Sequence, residues 1–193
     1  MDVELKSIPN TRHTCLFYSS NQELLDRLIP YFKEGLDNNE LCLWVIPKGW
    51  QIDEAKEFLR SRVSDLDNFI DRNQMIILEV SYIYLKDGLF SATEMLESLV
   101  SMEKKALRSG FSGIRGSGDC TWALGDHWFN FILYEKQLNK LTESYKIRAL
   151  CSYDTRGLNV DRIMEIGSSH HSCLVRRMGE WDSLYPDHFL GYK

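Results

Sequence analysis

At 193 residues, with 44% hydrophobic and 26% charged side chains, the chain suits one domain that buries well over half of its unfolded surface. A net charge of −5 and a pI near 5.6 argue against the basic footprint that displaces counterions from nucleic acid. The longest wholly apolar run is residues 41–46, far short of the roughly 20 residues that span a bilayer, so neither nucleic acid nor membrane is an expected direct partner.

The first element is a β-prone run, His13-Thr14-Cys15-Leu16-Phe17-Tyr18, stopped by Ser19-Ser20. Ser20 and Glu23 have capping-box spacing, and Leu24, Leu25, Leu28, Ile29, Phe32 and Leu36 then recur along one face of a helix. Residues 41–46 follow as a strand apolar on both faces, the habit of parallel sheets. This β-α-β unit lacks the glycines and lysine of a phosphate-binding turn, having Tyr18-Ser19-Ser20-Asn21 instead. Pro47 and Gly49 predict a turn, Asp53 a helix cap, and 64–72 a short helical turn. Residues 75–80 read as a third buried strand, continued loosely by 82–85. Ser91 and Glu94 open a long helix that Gly110 ends. Residues 111–122 begin as a strand and pass into a glycine-rich loop, followed by a helix from Asp126 to about Leu141. A strand at 148–154, a helix at 160–166, an edge strand at 169–175 and a tail complete the chain. The alternation predicts a three-layer α/β/α domain on a mostly parallel sheet, with about ten N-terminal residues and the tail after about 180 peripheral.

Ligands in such sheets lie beyond the carboxyl ends of the strands. Tyr18, Arg115, Asp119, Trp122, Tyr153 and Asp154 are expected at or near those ends, Arg115 to Trp122 following the fourth strand. Asp119 follows three glycines and sits beside Trp122, where burial would push its pKa upward. Its structural alternative is an ion pair with Arg115. Glu135 falls on the apolar stripe of its helix, which calls for a buried partner such as Arg115 or a view into the pocket. His13 and Cys15 share one side of a strand, and His171-x-Cys173 repeats the spacing; together they are the one candidate metal set, though nothing in the sequence joins them. Both cysteines also fit a core. Gly113, Gly116 and Gly118 fail the dinucleotide fingerprint, and no phosphate loop occurs elsewhere. Five cysteines without a Cys-x-x-Cys pair, and an N-terminus without the plan of a signal peptide, lead to the expectation of reduced thiols in the cytoplasm.

These residues resemble the MEDS family, the sensory domain of methanogen and methylotroph regulators. The likeness rests on His13-Thr14-Cys15-Leu16-Phe17-Tyr18, on Arg115-Gly116-Ser117-Gly118-Asp119-Cys120-Thr121-Trp122, on Tyr134-Glu135 with Leu138-Asn139, and on 150–154. Asp119 departs from the commoner glutamate and His170-His171 from the commoner His-Pro. The resemblance implies a RecA/KaiC-like fold without the phosphate loop, no cofactor, and the sensing of a small hydrocarbon derivative such as a one-carbon or methylated compound. The expected ligand-binding set is His13, Cys15, Tyr18, Arg115, Asp119, Trp122, Glu135, Tyr153 and Asp154. Output is expected through a separate signalling protein, a histidine kinase or a transcription regulator, and a homodimer is compatible with it. Two rival readings are an acid–base enzyme using Asp119, Glu135 and His13, and a ligand-free interaction module of the kinase or anti-sigma regulatory kind.

Overall fold

The computed structural model describes residues 11–189. In chain order the main elements are β1 (His13–Tyr18), α1 (Asn21–Asp37), β2 (Leu41–Val45), α2 (Ile52–Arg60), α3 (Leu66–Asp71), β3 (Met75–Leu78) and α4 (Val80–Ile83). There follow α5 (Ala92–Arg108), β4 (Ile114–Asp119), α6 (Trp128–Ser144), β5 (Ile147–Asp154), α7 (Val160–Ser168), β6 (Ser172–Arg177) and β7 (Glu180–Leu184). The strands form one sheet in the order β3-β2-β4-β5-β1-β6-β7, parallel throughout except where β7 runs antiparallel to β6. One core joins the sheet to α1, α2 and α3; the other joins it to α5, α6 and α7. The predicted three layers are present.

The local signals explain most of the elements. All six residues of β1 are buried, as a strand covered on both faces requires. Ser20 Oγ accepts from the Glu23 backbone N–H at 3.3 Å, while the Glu23 carboxylate accepts from Ser19 N–H at 2.7 Å, one residue before the expected position. Gly110 ends α5 with φ +88°, where a side chain would be strained.

Three expectations are corrected. Residues 80–83 coil into α4 rather than continuing β3. The glycine-rich segment stays in the sheet as β4, because its glycines serve close packing rather than loop freedom. A Cβ on Gly118 would lie 2.4 Å from the Tyr84 hydroxyl, and one on Gly113 2.6 Å from the Lys146 carbonyl. The predicted edge strand at 169–175 begins at Ser172 and lies inside the sheet, since the tail supplies β7 as the true edge. Trp181 of β7 is buried against the α1 side. No helix among the described residues is long and apolar enough to cross a membrane.

Candidate functional site

The sheet order places β4, β5 and β1 side by side, so their carboxyl ends, Asp119, Asp154 and Tyr18, come together. Tyr18 is in register with Asp154, and Asp119 with Ser152. The Tyr18 hydroxyl donates to Asp119 Oδ2 at 2.6 Å. Thr121 adds its backbone N–H to Oδ1 at 3.2 Å and its hydroxyl to Oδ2 at 3.3 Å. These groups open on a cavity of about 370 Å³ lined by Tyr18, Asp119, Trp122 and Asp154, with Lys48, Trp50 and Arg156 on its other walls. A second cavity of about 440 Å³ shares Lys48, Trp50 and Trp122 and extends to Glu79 and His127. Trp122 also packs on Tyr84, Phe90 and Phe131, with ring centroids 5.2–5.4 Å away, which ties the crevice to the aromatic core beneath α5 and α6. Sequence reasoning missed Lys48 and Trp50; the one signal was their place at the turn predicted by Pro47 and Gly49, which ends the second strand and so faces the same crevice.

Burial pushes the Asp119 carboxyl up to about 6, while the bonds from Tyr18 and Thr121 hold it back from going higher. Burial, and then the charge of Asp119, lift the Tyr18 phenol well above its usual range, so it remains a donor. Asp154 is held low chiefly by its hydrogen bonds from Arg156. Near neutrality the site therefore carries one ionised carboxylate and one close to its titration point. Because Asp119 binds its proton more tightly folded than unfolded, its stabilising effect is complete below about pH 4 and disappears as pH rises through about 6. At pH 8 the buried charge costs about 3 kcal/mol. Asp119→Asn keeps an acceptor for Tyr18 and removes this charge. The variant is expected to melt several degrees above the parent at pH 8 and level with it near pH 4. A difference that is constant across that range contradicts the assignment.

Arg115, expected at this site, lies at the other end of β4. Four residue steps of extended strand, about 13 Å, separate it from Asp119, so the proposed ion pair does not form. Its guanidinium pairs with Glu40 and, at 3.1 Å, with Glu34, and stands 4.8 Å from the centre of the Tyr31 ring. His13, Glu135 and Tyr153 are fully buried and meet one another instead. Glu135 Oε2 lies 2.9 Å from His13 Nε2 and 3.3 Å from His170 Nε2, and the Tyr153 hydroxyl donates to Oε1 at 2.9 Å. The Glu135 partner is thus a histidine pair and a phenol, not Arg115. Burial would raise Glu135, but His170 and His13 outweigh it and keep the carboxylate ionised, well below its usual range. Burial, with the charge of His170, lowers His13 to about 4; burial opposes protonation of His170 too, yet Glu135 lifts it to about 10. His170 was not in the expected set, and sequence offered only the His-His pair as a signal.

Cys15 and Cys173 are not reduced thiols. They face each other in the β1–β6 register with Cα atoms 4.5 Å apart and are joined by a disulfide. The predicted His13, Cys15, His171, Cys173 metal set is therefore overturned: both sulfurs are bonded, and the part-exposed His171 ring turns to Glu143 at 3.4 Å. Cys42, Cys120 and Cys151 are free and buried.

The chain is similar to known proteins in sequence and in fold. Over 161 residues, 82% of the chain, it is 29% identical to the transcriptional repressor DcmR of Methylorubrum extorquens, of which the match spans 57%. Two solved structures from Pyrococcus horikoshii share the fold. One, an uncharacterized protein in complex with an unknown peptide, has a TM-score of 0.59 at 10% identity, covering 90% of this chain and 82% of that one. The other, a KaiC-like protein, has a TM-score of 0.57 at 11% identity over 90% of this chain and 76% of its own. Residues 12–171 match the family described as MEthanogen/methylotroph, DcmR Sensory domain, and the chain accordingly belongs to the MEDS family of sensory domains.

Proposed function

We propose that residues 1–193 form a single sensory domain that binds a small hydrocarbon derivative, a one-carbon or methylated compound, in the crevice at the carboxyl ends of β1, β4 and β5. The observation that carries this reading is the Tyr18–Asp119 pair opening on a cavity of about 370 Å³, a size suited to a small molecule. The Trp122 indole N–H, buried and without a hydrogen-bond partner, supports it as a donor for a polar head. Trp50 and Trp122 supply apolar walls, and Asp119 an acceptor. The acid–base alternative is weaker. It needs Asp119, Glu135 and His13 around one substrate, whereas the last two are enclosed in the core and paired with each other.

Ligand contact with Trp122 would bias the segment from Cys120 to His127, which holds a 3₁₀ turn at Thr121–Leu124 and leads into α6. A separate signalling protein, a histidine kinase or a transcription regulator, would read that segment. The ligand must bind the two arrangements with different affinity for any signal to pass. Titrating one-carbon and methylated compounds while recording tryptophan emission and melting temperature tests the proposal. A saturable change in both is expected, and it should be lost in Trp122→Ala.

A further inference from the structure

The polar cluster under α6 is distinct from the crevice and has the composition of a metal centre. One donor atom from each of His13, Glu135, Cys151 and His170 lies within 4.8 Å of the other three, and all four residues are buried. They come from four places: β1, α6, β5 and the turn between α7 and β6. We propose that these four residues form a closed, four-ligand site for a divalent transition-metal ion of the zinc class.

The distances fit. With metal–nitrogen and metal–oxygen bonds near 2.0–2.2 Å and metal–sulfur bonds near 2.3 Å, the edges of a tetrahedral site are about 3.3–3.6 Å. His170 Nε2 lies 3.3 Å from Glu135 Oε2, Cys151 Sγ 3.5 Å from His13 Nε2, and Cys151 Sγ 3.6 Å from Glu135 Oε2. The short edge is His13 Nε2 to Glu135 Oε2 at 2.9 Å, which must open by a few tenths of an ångström around an ion.

The surroundings fit as well. His170 Nδ1 lies 2.8 Å from the Ile166 carbonyl, which can only accept, so Nδ1 carries the hydrogen and Nε2 is the atom turned to the cluster. Asn139 Oδ1 stands in the same relation to His13 Nδ1 at 3.1 Å. Tyr153 occupies Oε1 of Glu135 and leaves Oε2 for the ion. Metal-bound histidines and carboxylates are oriented by outer partners of this kind. His170 Nε2 is fully buried and its contact with Glu135 Oε2 at 3.3 Å is an ion pair without hydrogen-bond geometry, so no directed bond fills its position. A buried polar atom left so is unusual in a protein core.

The ligand chemistry selects the class. Two imidazoles, a thiolate and one carboxylate oxygen favour zinc and its neighbours over magnesium or calcium, which prefer oxygen alone. One thiolate and one carboxylate cancel the 2+ charge, so the loaded site is neutral, and on binding two protons leave to solvent, the thiol proton of Cys151 and the Nε2 proton of the His170 imidazolium. With four protein ligands the site is structural, pinning α6 to β1, β5 and the α7–β6 turn.

The test uses the full chain with zinc or cobalt(II) alone as probe, added both to the native protein and during refolding after chelation. Elemental analysis should find close to one metal ion per chain. The cobalt form should show intense visible bands of a tetrahedral ion and a near-ultraviolet thiolate charge-transfer band. Cys151→Ser should lose that band and bind about tenfold or more weakly. Cys120→Ser should keep it, since Cys120 Sγ faces the other oxygen of Glu135 at 3.9 Å. Folding of each variant is checked by circular dichroism, and the metal content of the unaltered chain stands whether or not Cys151→Ser folds. Absence of stoichiometric metal from both native and refolded chain overturns the proposal, as does a charge-transfer band that persists in Cys151→Ser.

Discussion

Glu135→Ala is expected to destabilise the chain by about 3–5 kcal/mol, the usual cost of removing one partner from a buried charge pair. For a chain of this length that is a fall in melting temperature of roughly 10 °C or more. The effect has three sources. His170 loses the carboxylate that holds its charge, the Tyr153 hydroxyl loses its acceptor, and a void opens on the α6 face between Phe131 and Leu138. All these groups are inside, so water cannot replace what is lost. Thermal denaturation followed by circular dichroism reads the change directly. A cost below about 1 kcal/mol would mean that Glu135 is no more than a surface-grade ion pair.

Arg115→Met is expected to cost about 2–3 kcal/mol, less than a wholly buried pair because the Glu34 side chain is 58% exposed and can be rehydrated. Glu40, 14% exposed, bears most of the loss. The pocket is fitted to the arginine: a Cβ on Gly35 would come within 2.6 Å of its side chain. Because Arg115 and Asp119 sit at opposite ends of β4, ligand response at the carboxyl ends should survive the substitution. Denaturant unfolding measures the first part and the ligand titration the second. Loss of response in a folded Arg115→Met chain would return Arg115 to the site.

Much of the fold was legible because its signals are local. Ser20 and Ser91 cap the helices that their spacing predicted, and the unbroken apolar run at 41–46 announced a strand covered on both faces. Four of the nine expected ligand residues, Tyr18, Asp119, Trp122 and Asp154, line one crevice for a related reason: three of them are strand ends, and parallel topology alone collects strand ends. What could not be read depends on strand order. Cys15 and Cys173 are 158 residues apart and meet only because β6 inserts between β1 and β7. Arg115 reads as a neighbour of Asp119 if the strand that opens at 111 passes early into a glycine-rich loop, and stands opposite it because the segment stays extended as far as Asp119. Likewise the partner of Glu135 is set by which side of β1 faces α6, so two histidines from distant parts of the chain could not be chosen over an arginine.

The central claim is that the crevice holding Tyr18, Asp119 and Trp122 is where ligand binds. It is tested most directly by following the indole N–H resonances of the five tryptophans while the same compounds are added. The expected result is movement of the Trp50 and Trp122 signals, with Trp44, Trp128 and Trp181 unmoved, and loss of that movement in Asp119→Ala. Movement confined to the other three indoles, or none with any compound in the panel, would contradict it.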